Sequence, residues 1–165
     1  MSASAPPVLD RTLPAILTRQ AERFAQRPLV TAGDTTWTYA DTCEAAARFA
    51  GTMQSAGIQG GDRVAIICSN RIELFEIVLG CAWLGAIAVP INVASRGPQL
   101  QHILSNCGAR LLMMEAAYAE NLAMLDPGEL AIETIWLIGA AADVRMGEIG
   151  SAPLPRGSER IAAAA

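Results

Sequence analysis

Residues 64–89 read VAIICSNRIELFEIVLGCAWLGAIAV, and this stretch decides the fold. It opens with an apolar run, Val64 to Cys68, that lacks polar alternation and is typical of a strand covered on both faces. A stretch of helix length follows and ends at Gly85, after which a second apolar run, 86–89, predicts another strand. A strand, a helix and a strand in this order indicate a βαβ unit with a right-handed crossover.

The alternation continues toward the C-terminus. We expect helices over 98–106 and 116–124, and strands over 111–114 and 134–138. Glycine stops the first of these helices at Gly108. The predicted fold class is therefore α/β, with a mostly parallel sheet flanked by helices.

Toward the N-terminus, Thr12 is a suitable helix cap, and Pro28 ends the helix that it begins. Short extended runs on either side of residues 33–34 predict a hairpin. Thr38 and Asp41 have the spacing of a capping box at the start of a second helix.

The chain divides into three segments by composition. Residues 1–11 predict a flexible tail, and residues 12–146 predict one α/β subdomain. Residues 147–165 predict a linker, because three glycines, two prolines and two serines fall within 147–158.

Charge and residue usage exclude several classes of function. The net charge is −4, and no basic cluster favours binding to nucleic-acid phosphates. All 12 basic residues are arginine, so the chain offers no lysine for a Schiff base or a P-loop. The four cysteines lie mostly among apolar residues and lack metal-ligand spacing, which predicts no metal site and a reducing, cytoplasmic location.

The longest apolar run, 77–93, approaches the length of a membrane span. Gly80, Gly85 and Pro90 interrupt it. We therefore expect the end of a helix, a turn and a strand in this region, and no membrane span.

Motifs for common α/β chemistries are missing. A dinucleotide site needs a glycine-rich turn after its first strand, but Ser69, Asn70 and Arg71 follow the strand here. Neither a G-K-[ST] phosphate loop nor a G-x-S-x-G nucleophile motif occurs. The single histidine, His102, falls on a predicted helix and is expected to be partly exposed rather than catalytic.

Polar residues at the predicted strand ends remain as candidates for a site, because open parallel sheets bind ligands at the carboxyl ends of their strands. Residues 69–71 stand at one end and 90–92 at another. Instead of binding a ligand, Asn70 could cap the following helix together with Glu73. Arg96 follows in a loop, where it could bind a phosphate through its planar fork or remain a solvated surface arginine.

Six short segments then occur in a characteristic order. They are TWTYAD at 36–41, GDRVAI at 61–66, NRIE at 70–73, LGAIAVPIN at 84–92, RGPQL at 96–100 and GARL at 108–111. Together this series, within residues 12–114, resembles the opening third of the adenylate-forming (AMP-forming) acyl-CoA synthetases. The Arg96–Gly97 pair resembles the acyl-CoA ligase branch, which includes carnitine-, crotonobetaine- and fatty-acid-type ligases.

This resemblance implies a two-step reaction in which ATP and Mg²⁺ activate a small-molecule carboxylate as an acyl-adenylate, and coenzyme A then displaces AMP. It also implies that Arg96 contacts a coenzyme A phosphate. The family's phosphate loop, hinge and C-terminal lysine are not in this sequence, and the loop is expected soon after Ala165. We therefore expect no catalytic residue here, no tight cofactor binding, and inactivity without the remainder of the synthetase chain.

Two hypotheses follow. The chain is either the N-terminal piece of an acyl-CoA ligase or a free-standing, non-catalytic α/β module that binds a partner or a coenzyme A-like ligand. A piece of a larger domain would expose an apolar face and self-associate. The identity of the carboxylic acid is not encoded in these residues.

Overall fold

The computed structural model describes residues 11–139, 144–157 and 160–164. Nearly all of the predicted N-terminal tail, and residues 158, 159 and 165 of the predicted linker, lie outside the described residues. The helices and strands are α1 Leu13–Phe24, β1 Pro28–Ala32, β2 Thr35–Thr38, α2 Tyr39–Ser55, β3 Arg63–Ile67, α3 Ile72–Leu84, β4 Ile87–Pro90, α4 Gly97–Cys107, β5 Leu111–Glu115, β6 Thr134–Ile138, β7 Arg145–Met146 and β8 Ile149–Pro153. Two 3₁₀ helices, Ala116–Leu122 and Pro127–Glu129, connect β5 to β6.

A six-stranded sheet with the order β4-β3-β5-β6-β8-β7 forms the centre of the described structure. Its neighbouring strands are parallel except for β7 and β8. In β3, Val64 pairs with Ala88 of β4 on one side and with Leu111 of β5 on the other. The predicted fold class is confirmed.

Both faces of the sheet are buried at β3, β5 and β6, as their apolar runs predicted, whereas the edge strand β4 is partly exposed. Along β3, Ile66 belongs to a core shared with Ile77 of α3, whereas Ile67 belongs to a second core shared with Leu100 of α4. The period of two along a strand sends neighbouring residues to opposite faces, so one strand feeds both cores. Helices α2 and α3 therefore cover one face and α4 covers the other.

The N-terminal elements form as predicted. Thr12 caps α1 by accepting a hydrogen bond from the backbone N–H of Ala15 at 3.4 Å. Strands β1 and β2 make an antiparallel hairpin. The capping box of α2 is complete, because the N–H of Asp41 donates to Thr38 Oγ1 at 3.2 Å and the N–H of Thr38 donates to Asp41 Oδ2 at 2.9 Å.

The start of α3 differs from the prediction. Arg71, not Asn70, occupies the N-cap position, and no side chain caps the helix. The expected capping by Asn70 with Glu73 is wrong, because the Glu73 carboxylate instead accepts hydrogen bonds from the Arg71 guanidinium at 2.7 and 2.8 Å. At the other end, Gly85 closes the helix in the left-handed region, with φ of 80°.

The segment after β5 also differs from the prediction. The helix predicted over 116–124 is a 3₁₀ helix over Ala116–Leu122.

The prediction of a linker over 147–165 is wrong at Ile149–Pro153. These residues form β8, which pairs in parallel with β6. Without β8, the backbone groups of β6 on that side would lack sheet partners. Composition alone did not reveal this, because glycine, serine and proline dominate the strand.

Residues 154–157 and 160–164, here called the strap, lie against α2 and α3 rather than leading away from them. The indole N–H of Trp83 donates to the carbonyl of Ile161 at 3.1 Å, and the N–H of Ala164 donates to the carbonyl of Trp83 at 2.8 Å. Arg160 forms an ion pair with Glu44 of α2 at 2.7 Å. The strap therefore belongs to the packed structure.

The apolar run at 77–93 comprises the end of α3, the turn at Gly85 and strand β4, as predicted. None of the helices in the described residues is long and apolar enough to cross a bilayer.

Gly80 sets how closely α3 approaches α2, and this generates a prediction. A Cβ at this position would lie 2.7 Å from Cδ1 of Phe49. We expect Gly80→Ala to lower the free energy of unfolding by up to about 2 kcal/mol, because an overpacking cost of about 1–3 kcal/mol is offset by a helix-propensity gain of roughly 1 kcal/mol. Urea unfolding followed by circular dichroism measures this.

The matched control is Gly80→Ala in a Phe49→Leu background. Leucine removes the ring edge that the new methyl group meets, so the same substitution should cost less there. An increase in stability on Gly80→Ala in the unmodified chain would contradict the close packing of α2 and α3.

Candidate functional site

The strand order creates a crevice at one edge of the sheet. From β3 the chain crosses to β4 on one side, then passes over β3 to reach β5 on the other side. The connection that leaves β3 leads to β4 on one side, whereas the connection that leaves β5 leads to β6 on the other side, so the two diverge between the carboxyl ends of β3 and β5. In open α/β sheets this topological switch point is where ligands bind.

Glu115 lies at this switch point. It ends β5, and its Oε2 accepts hydrogen bonds from the backbone N–H of Ser69 at 3.1 Å and from Ser69 Oγ at 2.7 Å. Its Oε1 accepts from Nη1 of Arg71 at 3.2 Å. The structure thus brings together Ser69 and Arg71, which the sequence placed at a strand end, and Glu115, which ends the neighbouring strand β5.

Arg71 connects two carboxylates. Nε and Nη2 bind both oxygens of Glu73, and Nη1 binds Glu115. Such paired, charge-assisted bonds fix the plane of the guanidinium. The hydrogen bonds with Arg71 lower the pKa of Glu73, and those with Glu73 raise the pKa of Arg71.

The protonation state of Glu115 follows from its partners. Partial burial on its own raises the pKa of Glu115, but hydrogen bonds from Ser69 and the charge of Arg71 outweigh it and lower the pKa below its usual value. The side chain is therefore a carboxylate at neutral pH. Next to it, burial and the charge of Glu115 raise the pKa of the Cys68 thiol to about 11, which disfavours a thiolate nucleophile.

The other sequence candidates lie apart from this network. Arg96 is the N-cap residue of α4, and its Nη1 donates to the amide oxygen of Asn121 in the 3₁₀ helix. Asn92 lies two residues beyond β4 in a turn, where its Oδ1 accepts from the N–H of Ala94 at 2.9 Å. Asn70 is exposed, and so is His102 on α4.

Sequence reasoning missed two charged residues at this edge. Glu73, read only as a capping partner, orients Arg71. Arg156, assigned to a linker, lines a small cleft of about 200 Å³ together with Glu73 and Gly139 at the ends of β6 and β8. The close spacing of Arg71 and Glu73 in the sequence could have indicated that Glu73 orients Arg71. No pattern in the sequence around Arg156 indicates that it lies at this edge.

A wider cleft of about 490 Å³ lies on the helical face between α2, α3 and the strap. Its lining includes Arg48, Glu76 and Arg156. Burial raises the pKa of Glu76, although the charges of Arg156 and Arg48 oppose this. The mixed charges of this lining compensate one another, so the strand ends remain the better candidate site.

Metal-ligand chemistry has little support in the part of the chain that the structure describes. No group of three or more histidine, cysteine, aspartate or glutamate residues there is arranged to hold an ion.

Comparison with known proteins identifies the family. The AMP-binding enzyme family matches residues 17–156. The feruloyl-CoA synthase of an Amycolatopsis species is 35% identical over 112 residues, which cover 68% of this chain and 23% of that protein.

Solved structures agree in fold. A protein described as a long-chain-fatty-acid CoA ligase from Rhodopseudomonas palustris superposes with a TM-score of 0.77 at 24% identity, over 87% of this chain and 35% of its own. The fatty acyl CoA synthetase of Mycobacterium tuberculosis gives a TM-score of 0.69 at 28% identity, over 78% of this chain and 26% of its own.

The chain thus spans 23% to 35% of the length of these relatives. Their names agree with the resemblance found in the sequence, and the family match includes the strands that form the switch point. The chain belongs to the AMP-binding enzyme family.

Proposed function

We propose that this chain is the N-terminal part of an ATP-dependent, AMP-forming acyl-CoA ligase. The family match over residues 17–156 carries this proposal. Such a ligase activates a carboxylic acid as an acyl-adenylate and transfers the acyl group to coenzyme A. The partners of the chain would be the remainder of its own synthetase and a small-molecule carboxylate, and its location would be cytoplasmic.

The described residues do not fit the triphosphate of ATP. Stabilising a transferring phosphoryl or nucleotidyl group needs preorganised donors and positive charge. At the switch point, the N–H and hydroxyl of Ser69 and one edge of Arg71 already bind Glu115. We infer that the phosphate and Mg²⁺ contacts come from other parts of the ligase, and that this chain alone is inactive.

The role left to this chain is structural and positional. Its sheet and helices would form one wall of the channel for the acyl and pantetheine groups. Arg96 is the residue that we propose for the phosphate of coenzyme A, because it is exposed and its bond to Asn121 holds only one nitrogen, leaving other N–H groups to bind phosphate.

Self-association is a further part of the proposal. An apolar groove of about 380 Å³ lies between β1 and α3, lined mainly by Val30, Ala32, Leu74, Phe75 and Val78. We expect it to pair with another apolar surface, from the rest of the ligase or from a second copy of the chain. Sedimentation velocity of the isolated chain over a range of concentrations tests the second arrangement.

Calorimetric titration tests the division of roles. We expect no saturable heat with ATP–Mg²⁺ and little heat with coenzyme A, because the phosphate donors lie elsewhere. A full-length relative, such as the Amycolatopsis feruloyl-CoA synthase, serves as the positive control in the same buffer. Saturable binding of ATP by this chain would show that the phosphate site lies within these residues.

The role of Arg96 is tested with a matched pair of ligands, coenzyme A and 3′-dephospho-coenzyme A. Amide chemical shifts should give an affinity for coenzyme A about two- to fivefold higher than for the dephospho form, the range expected of one exposed ion pair. Arg96→Gln should abolish this difference, whereas Arg19→Gln on the exposed face of α1 should preserve it. An unchanged difference in Arg96→Gln would exclude Arg96 from phosphate binding.

A further inference from the structure

Three donors converge on one carboxylate at the switch point. The Glu115 carboxylate receives the backbone N–H of Ser69, the hydroxyl of Ser69 and one guanidinium N–H of Arg71, at 3.1, 2.7 and 3.2 Å. A backbone amide, a hydroxyl and an arginine are the groups by which proteins commonly bind external carboxylates and phosphates. Here the bound anion is a side chain of the same molecule.

The donors are held in place from their own side of the crevice. Ser69 lies two residues beyond the end of β3, after the buried residues Ile67 and Cys68, which fix the direction of its N–H. Arg71 is oriented by two bonds to Glu73, and that carboxylate belongs to α3. Glu115 comes from another strand, so the donors are arranged without it.

A second ion pair, at the opposite edge of the sheet, provides a comparison for the donors around Glu115. There Arg110 binds Glu133 through two parallel bonds of 3.0 and 2.9 Å. The Glu133 side chain is 60% exposed, whereas that of Glu115 is only 19% exposed. Of these two glutamates, Glu115 alone combines backbone, hydroxyl and guanidinium donors with partial burial.

We propose that the crevice between β3 and β5 is a carboxylate-binding site that the chain fills with its own Glu115. While Glu115 is in place, external anions are excluded from the switch point. When it is removed, the donors of Ser69 and Arg71 bind a small monocarboxylate. This site is independent of the proposed ligase activity.

Acetate is the matched probe for Glu115→Ala. Truncation to alanine removes the γ-methylene and the carboxylate, and acetate restores one methyl carbon and one carboxylate. Propionate is one carbon too long for the space. Formate lacks the carbon that fills the position of the methylene.

The experiment measures the melting temperature of Glu115→Ala in increasing sodium acetate against sodium chloride at equal ionic strength. A ligand that binds only the folded state raises stability in a saturable way. We expect acetate to raise the melting temperature of Glu115→Ala above the chloride control, with an affinity about tenfold higher than that of propionate. The wild-type chain, whose crevice is filled, should not respond.

Glu133→Ala is the control for loss of an arginine-paired carboxylate, and acetate should not stabilise it. Adding Ser69→Ala to Glu115→Ala should weaken acetate binding. Equal responses to acetate and chloride in Glu115→Ala, or a similar acetate response in Glu133→Ala, would overturn the proposal.

If Glu115→Ala does not fold in chloride, its refolding in sodium acetate provides the second test, because a ligand of the folded state shifts the folding equilibrium. Acetate should restore the circular-dichroism signal of the folded chain at concentrations at which propionate does not. Equal recovery in both salts, or no recovery in acetate, would contradict a defined carboxylate site.

Discussion

Burial of the sheet on both faces is the constraint on which the rest of the structure depends. Strands β3, β5 and β6 alternate between two cores, so neither face can be left to solvent without exposing large apolar side chains. Each buried side chain of this size contributes roughly 1.5–3 kcal/mol relative to exposure. Helices must therefore cover both faces, and successive crossovers must leave on opposite sides. The switch point between β3 and β5 follows directly from that requirement.

A switch point exposes backbone donors that need partners. The end of β3 presents the N–H of Ser69 in a partly buried position, and an unpaired buried donor costs about 1–3 kcal/mol. Glu115 satisfies that donor and the adjacent hydroxyl, while Arg71 compensates its charge. The same network joins the start of α3 to the end of β5. Stability and closure of the crevice therefore depend on one carboxylate.

The sequence predicted most of the elements, because apolar periodicity and glycine stops are local signals. It also indicated Ser69 and Arg71 as strand-end residues, but it could not show that they bind Glu115, since that depends on strand order. Asn70 was misassigned because capping preferences ignore competition from a neighbouring arginine for Glu73. Strand β8 was missed because the edge of β6, and not the composition of residues 149–153, determines its pairing.

The arginines of this chain show how its positive charge is used. Arg63 donates to the last carbonyls of α4 at Cys107 and Gly108, and Arg110 joins Asp62 to Glu133 at the same edge of the sheet. At the carboxyl edge, Arg71 is engaged with two carboxylates. Guanidinium groups are suited to binding carbonyl and carboxylate oxygens, since they stay charged and bind oxygens in pairs. Because these charges stabilise the two edges of the sheet, they are not free to bind phosphate. Phosphate binding would therefore need positive charge from arginines other than these three, such as Arg96, the N-cap residue of α4.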